Sequence, residues 1–189
     1  MKETSKSFGI RKERGDFDQF LRGNGIDIGA GKDPLKVEVG SVKCWDRADG
    51  DAQLMPGVAD NQFDFVYSSH CLEHMREVPE ALRNWTRILK PGGFLYIVVP
   101  EYIHYEKMTW PSMLNPDHKQ SFSFLITRAH VGRPNHYHAT EDMFPLIEEL
   151  GSDNIRLSME DDYFNYNAGV LDQTRIAALS QLCFVAKKR

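Results

Sequence analysis

Gly25-Ile26-Asp27-Ile28-Gly29-Ala30-Gly31 is the stretch that decides the fold of this chain. Isoleucines alternating with an acid read as a short strand, and Gly-x-Gly at its end makes a turn whose backbone can approach a ligand closely. In an open α/β sheet, ligands sit beyond the carboxyl ends of the strands, near the point where strand order reverses. A dinucleotide fold asks for Gly-x-Gly-x-x-Gly, but the sixth position here is Pro34, which disfavours a pyrophosphate. No Gly-Lys-Ser/Thr follows, so a phosphate-cradling loop is excluded as well. The pattern fits a ligand that carries an adenosine without a phosphate.

The neighbouring sequence supports that ligand. Ser41 to Trp45 reads as a second strand ending at Asp46, fifteen residues after Gly31. A carboxylate there can accept both hydroxyls of a ribose. Gly50-Asp51-Ala52-Gln53-Leu54-Met55-Pro56 is an acidic turn, and Asp51 can accept a hydrogen bond from an adenine amino group. A buried ring with an unpaired amino group would be costly. Phe63 to Tyr67 has strand composition. Val78, Ala81, Leu82, Trp85, Ile88 and Leu89 then form one apolar helical stripe, with Pro79 in the first turn. Lys90-Pro91-Gly92-Gly93 stops it, and Phe94 to Val99 reads as a strand buried on both faces.

Residues 101–139 are irregular and rich in aromatics and histidines. Thr140 suits the cap of a helix that runs to Leu150 and stops at Gly151. Ile155 to Met159 and Ser180 to Ala186 are the last two strands, and Phe17, Phe20 and Leu21 mark a short amphipathic helix near residues 14–22. Strand–helix alternation around a buried central strand predicts an α/β fold with a parallel sheet.

Composition narrows the class. A chain of 189 residues is one ordinary domain, and 41% hydrophobic with 26% charged residues is globular. The net charge of −4 argues against a surface devoted to nucleic-acid backbone. No apolar run approaches the roughly 18 residues of a membrane span. The polar start lacks a signal-peptide core, and Cys44, Cys71 and Cys183 form no CxxC, so a reduced, cytoplasmic protein is expected. All seven histidines lie between His70 and His138.

Together these segments resemble the class I S-adenosylmethionine-dependent methyltransferases of the broad "type 11" kind. The resemblance is close over residues 24–102 and loose over 103–189. It rests on Ile26 to Gly31, Asp46, Asp51-Ala52 through Pro56, Phe63 to Ser69 followed by Leu72-Glu73-His74, and Arg87-Ile88-Leu89-Lys90-Pro91-Gly92-Gly93. It implies a Rossmann-like sandwich: a mostly parallel seven-stranded sheet with an antiparallel last strand. The chain departs from the family where Asp33, Pro34 and Leu35 follow the glycines. With so few residues before Asp46, the first helix is expected to be shortened.

The resemblance further implies S-adenosylmethionine as cofactor and transfer of its methyl group to an acceptor. Cofactor contacts are expected from Asp27, Gly29, Ala30, Gly31, Asp46, Asp51, Ala52, Ser69 and His70. A general base would come from the histidines, with His70, His118 and His138 as the catalytic candidates. His74 supports the following helix. The His136/His138 pair with Asp117 and His118 could hold a metal, but no metal-site spacing is matched, and no metal is expected. The single domain spans residues 1–189, with 1–24 as an N-terminal arm and 101–139 as an acceptor-side insertion. Phe17, Phe20, Tyr102, Tyr105, Trp110, Phe122, Phe124 and Tyr137 in these segments suit a small-molecule or glycan acceptor. They equally suit a core or a homodimer contact. The alternatives are a non-catalytic cofactor-binding module, or a methyltransferase of RNA or protein that uses the basic termini.

Overall fold

Strands β1 (Gly23–Ile28), β2 (Gly40–Trp45), β3 (Phe63–Ser69), β4 (Leu89–Pro100), β7 (Ser152–Glu160) and β8 (Gln181–Lys188) form one sheet in the order β2-β1-β3-β4-β8-β7. These come from a computed structural model of the chain, which describes residues 2–165, 167, 173 and 178–189. The first four strands pair in parallel, and β8 runs antiparallel to both β4 and β7. The α/β class and the antiparallel last strand agree with the sequence reading. The chain passes from β1 outward to β2 and then returns to the other side of β1 for β3. That reversal is a topological switch point, and it lies at the glycine turn.

The strands alternate between two cores, because successive side chains point to opposite faces. Ile26, Ile28, Val66, Leu95, Ile97 and Val99 face one core, with Trp45, Met55 and the apolar stripe of helix α4 (Val78–Ile88). Phe65, Tyr67, Tyr96 and Val98 face the other, with Phe17, Leu21 and Leu35. Covering both faces is what lets a parallel sheet read as unbroken apolar runs. In α4, Val78, Ala81, Leu82, Trp85 and Ile88 are fully buried. At about 1.5–3 kcal/mol for each large side chain, this stripe anchors the helix far more strongly than its caps do.

Several details differ from expectation. Among the described residues the sheet has six strands, not seven. Residues 46–62, between β2 and β3, fold as consecutive turns, as the acidic turn read there implies, closed by Asp49 N–H to Asp46 O (2.8 Å) and Met55 N–H to Asp51 O (2.9 Å). Gly50, Pro56 and Gly57 punctuate that segment against a strand. No helix at all separates β1 from β2: residues 29–39 are turn and coil. The Leu35 N–H donates to Asp27 Oδ2 at 2.7 Å and the Ser5 N–H to Asp33 Oδ2 at 2.8 Å, so side-chain carboxylates hold this loop in place.

β4 begins at Leu89 rather than Phe94, and Lys90–Gly93 are absorbed in a register shift opposite Phe63 and Phe65. The expected helix at 14–22 is a chain of three short ones: α1 (Glu3–Lys6), α2 (Phe8–Glu13) and α3 (Asp16–Gln19). Residues 2–24 pack onto the sheet, since Phe17, Leu21 and Arg11 lie buried on its second face. Arg11 donates to Tyr67 Oη at 3.2 Å, which satisfies part of a guanidinium buried there. The helix after the insertion starts as a π-turn, Ala139–Met143, and continues as α6 (Phe144–Glu149). His138, not Thr140, is its cap, because His138 Nδ1 accepts the Glu141 N–H at 3.2 Å. The insertion also forms β5 (Ser121–Ser123), α5 (Arg128–Val131) and β6 (His136–His138), with β5 and β6 paired as a second, two-stranded sheet.

Candidate functional site

The carboxyl ends of β1, β2 and β3 open into two adjoining cavities. Gly29 (φ +84°) and Gly31 (φ +53°) turn the chain in the left-handed region that glycine tolerates best. The turn is fastened to β2: Gly29 N–H donates to Trp45 O at 2.8 Å, and Gly31 N–H to Asp46 Oδ2 at 3.0 Å. A Cβ on Gly29 would stand 2.7 Å from Cys71 Cβ, so this close approach needs glycine for space as well as for backbone angle.

The larger cavity, about 550 Å3, is lined by Gly29, Gly31, Asp46, Asp51, Ala52 and His74 among others. The smaller, about 270 Å3, is lined by Thr4, Gly29, Ala30, Gly31, Ser69 and His70 among others. The glycine turn is the wall they share. Of the nine expected cofactor residues, only Asp27 lines neither cavity. It lies beneath the turn, fully buried, and burial raises its carboxyl pKa to about 7 against the Leu35 hydrogen bond that lowers it. Asp46 Oδ1 accepts the Arg47 N–H at 2.7 Å while Oδ2 takes Gly31, and each carboxylate oxygen retains a second lone pair. The Arg76 guanidinium, 2.7 Å from Asp51 Oδ2, holds the Asp51 carboxyl below the usual carboxylate range.

The three expected catalytic histidines are scattered. His70 (φ +53°) ends β3 and edges the smaller cavity. Its Nε2 lies 2.9 Å from Gln181 Oε1. The Gln181 Nε2 is committed to Ser7 Oγ (2.8 Å) and Glu160 Oε2 (2.5 Å), so Oε1 accepts and His70 Nε2 carries the proton. Burial lowers the His70 pKa to about 3, so the ring is neutral. His118 is buried with Nδ1 2.5 Å from Glu106 Oε1. Burial opposes its charging, but the Glu106 hydrogen bond and the nearby Glu73 outweigh that, and its pKa is raised. His138 lines neither cavity; Nε2 meets Phe124 O at 2.8 Å and Nδ1 serves the cap. His136 is likewise engaged, with Ser121 Oγ and Ile126 O each at 2.8 Å. The His136/His138 pair therefore builds the small sheet and does not join Asp117 and His118.

Two features carried weaker signals in the sequence. Glu73, the middle residue of Leu72-Glu73-His74, is fully buried, and burial raises its pKa to about 7. The Leu-Glu-His spelling pointed to this residue, but only its histidine drew attention. The second is the roof of the smaller cavity, to which α1 contributes Glu3 and Thr4. Ser5 ties that helix to Asp33, so the departure from the family glycine serves a contact that no local pattern announces.

Comparison with known proteins agrees with this architecture. Residues 26–97 match the family model described as a methyltransferase domain. The bifunctional biotin biosynthesis protein BioHC of Cellvibrio japonicus is 25% identical over 122 residues, which is 56% of this chain and 24% of that protein. The chain spans about a quarter of the length of the curated relatives it matches. A SAM-dependent methyltransferase from Archaeoglobus fulgidus superposes with a TM-score of 0.61 at 16% identity, over 100% of this chain and 95% of that one. A phosphoethanolamine N-methyltransferase of Haemonchus contortus, solved with phosphomonomethylethanolamine and S-adenosylhomocysteine, gives 0.57 at 14% identity, over 96% of this chain and 52% of that one. Over residues 26–97 this chain is similar in sequence to a methyltransferase domain, and its fold is that of the Rossmann-like S-adenosylmethionine-dependent methyltransferases.

Proposed function

We propose that this chain moves the sulfonium methyl group of S-adenosylmethionine to a small-molecule or sugar-like acceptor. The observation that carries the reading is the pair of cavities divided by the Gly29–Gly31 turn. The larger is within the ~300–1,000 Å3 of ordinary ligand pockets. Its residues suit an uncharged nucleoside end. Asp46 has lone pairs left for ribose hydroxyls, and the Asp51-Ala52 turn offers a carboxylate and backbone for adenine. The smaller cavity, with Ser69 and His70 at its edge, is of a size that supports a compact acceptor beside the methionine end.

When bound, the cofactor supplies an activated methyl group and its own leaving group. That methyl would go to the acceptor's lone pair as its bond to sulfur breaks, leaving S-adenosylhomocysteine, and the acceptor's proton would pass to solvent or to a base. The chain's part is to orient and to exclude water. Gly29, Ala30 and Gly31 form the close wall, Asp46 and Asp51 hold the nucleoside, and Ser69 and His70 border the reacting end. Of the three candidate histidines His70 alone lines that cavity, with Nε2 donating to Gln181, which supports a role in shaping the acceptor pocket.

The test is release of S-adenosylhomocysteine when the protein meets S-adenosylmethionine and separate pools of small metabolites, glycans, RNA and protein. Turnover is expected with a small-molecule or glycan pool. Turnover only with RNA or protein would overturn the acceptor assignment. Binding without turnover on any pool would favour a non-catalytic module.

A further inference from the structure

Beside the larger cavity, three histidines converge on one buried carboxylate oxygen. Glu73 Oε1 lies 3.8 Å from His70 Nδ1, 3.8 Å from His74 Nε2 and 3.8 Å from His118 Nε2. The Glu73 and His118 side chains are fully buried. Neither Glu73 oxygen, nor His118 Nε2, nor His70 Nδ1 has a hydrogen-bond partner among the described residues. Buried polar groups are otherwise almost always satisfied, and a cluster of orphans asks for an ion or a water.

The far side of each ring shows which. His118 Nδ1 bonds the Glu106 carboxylate at 2.5 Å. His74 Nδ1 lies 3.2 Å from both the carbonyl and the carboxylate Oδ2 of Asp117. His70 Nε2 donates to Gln181. Each outer nitrogen is thus held by an acceptor, which aims the inner nitrogen at the Glu73 carboxylate. Carboxylate or carbonyl groups behind ligating histidines are the usual supports of a metal site.

We propose that Glu73, His74 and His118 bind a divalent first-row transition-metal ion at the wall of the larger cavity. The ligand atoms of these three lie within 4.8 Å of one another. His70 faces the same oxygen but stands outside that group. Two imidazoles and a carboxylate suit Zn2+ or Fe2+ rather than the oxygen-seeking Mg2+ or Ca2+. Metal–ligand bonds of about 2.0–2.1 Å set tetrahedral ligands roughly 3.4 Å apart, so the two 3.8 Å separations from Glu73 and a His74–His118 separation of up to 4.8 Å must close by side-chain adjustment when the ion binds. His74 also lines the cavity, so the ion would sit at its edge. The site uses neither the glycine turn nor Asp46, and it stands or falls apart from the methyl-transfer reading.

The test uses the full chain without a polyhistidine tag, stripped with chelator and titrated with Zn2+ and with Co2+. Expected are about one equivalent of Zn2+, a rise in Tm, and Co2+ d–d absorption of a low-coordinate nitrogen/oxygen site. His118→Ala and His74→Ala should lose the equivalent, and Glu106→Gln should weaken binding about 10-fold or more by loosening a supporting contact. His130→Ala, an exposed histidine elsewhere, should bind as the parent does. If the alanine variants fail to fold, X-ray absorption of the Zn2+-loaded parent still decides, because two imidazoles and one carboxylate must appear. Less than a tenth of an equivalent at 100 μM metal, unaltered binding in folded His118→Ala and Glu106→Gln, or a shell without imidazole would each overturn the proposal.

Discussion

Gly29→Ala separates the two reasons for glycine at the centre of the site. The first is backbone angle. At φ +84° an L-residue is strained, at a cost of about 1–2 kcal/mol. The second is space. The new Cβ would stand 2.7 Å from Cys71 Cβ and 2.8 Å from Cys71 Sγ, well inside the ~3.5–4.0 Å of good carbon contact. Forcing a methyl into packed surroundings costs about 1–3 kcal/mol. The single variant should therefore lose about 2–5 kcal/mol, a large share of the ~5–15 kcal/mol typical of a domain. Cys71→Gly removes both obstructing atoms and leaves the angle untouched. In a double-mutant cycle, the pair should recover about 1–3 kcal/mol relative to the sum of the singles, while the angular part persists. Urea unfolding followed by far-UV circular dichroism on all four proteins measures this. Additivity within about 0.5 kcal/mol would refute the contact, because independent sites add that closely.

Two further outcomes are expected. Trp85→Phe should cost about 2–4 kcal/mol, from a lost bond of Nε1–H to Ala52 O (2.8 Å) and the void left by the smaller ring; an unchanged urea midpoint would contradict the packing. Asp27 has a pKa of about 7 in the fold against an ordinary 3.8, so the folded state binds more protons in that window and wild-type stability falls as pH rises from about 4 to 7. Asp27→Asn keeps an acceptor for Leu35 and removes the buried charge. Its gain over wild type should grow across that window to a few kcal/mol at pH 8, and equal differences in urea midpoint at pH 5 and pH 8 would refute the burial of a charge there.

What the sequence made legible follows from local rules. All six strands of the sheet and helix α4 are legible from composition, period or apolar run, and β1 with its glycines also marks the cavities. Those signals sit within a few residues of what they determine. The three-helix cover of residues 3–19 was read as an arm because its burial depends on Arg11, Asp16 and Phe17 meeting a sheet face far along the chain. The seventh strand was a family expectation; among the described residues the sheet has six, and the segment of Gly50 and Pro56 already reads as a turn in the sequence. The histidine skew was visible, but its meaning was not. His136 and His138 satisfy backbone carbonyls in the small sheet, whereas His74 and His118, 44 residues apart, meet across the fold at 4.9 Å between ring centroids. Glu73 became notable only when its burial without a partner was seen.

The central claim is that Asp46, at the end of β2, holds the nucleoside of the methyl donor. Calorimetric titration of S-adenosylhomocysteine into the parent and into Asp46→Ala tests it most directly, with circular dichroism confirming that both are folded. Hydrogen bonds to a charged group contribute about 1.5–3 kcal/mol, so the variant should bind about 10- to 100-fold more weakly than the parent. No heat of binding with the parent, or equal affinity in the two proteins, would contradict the account.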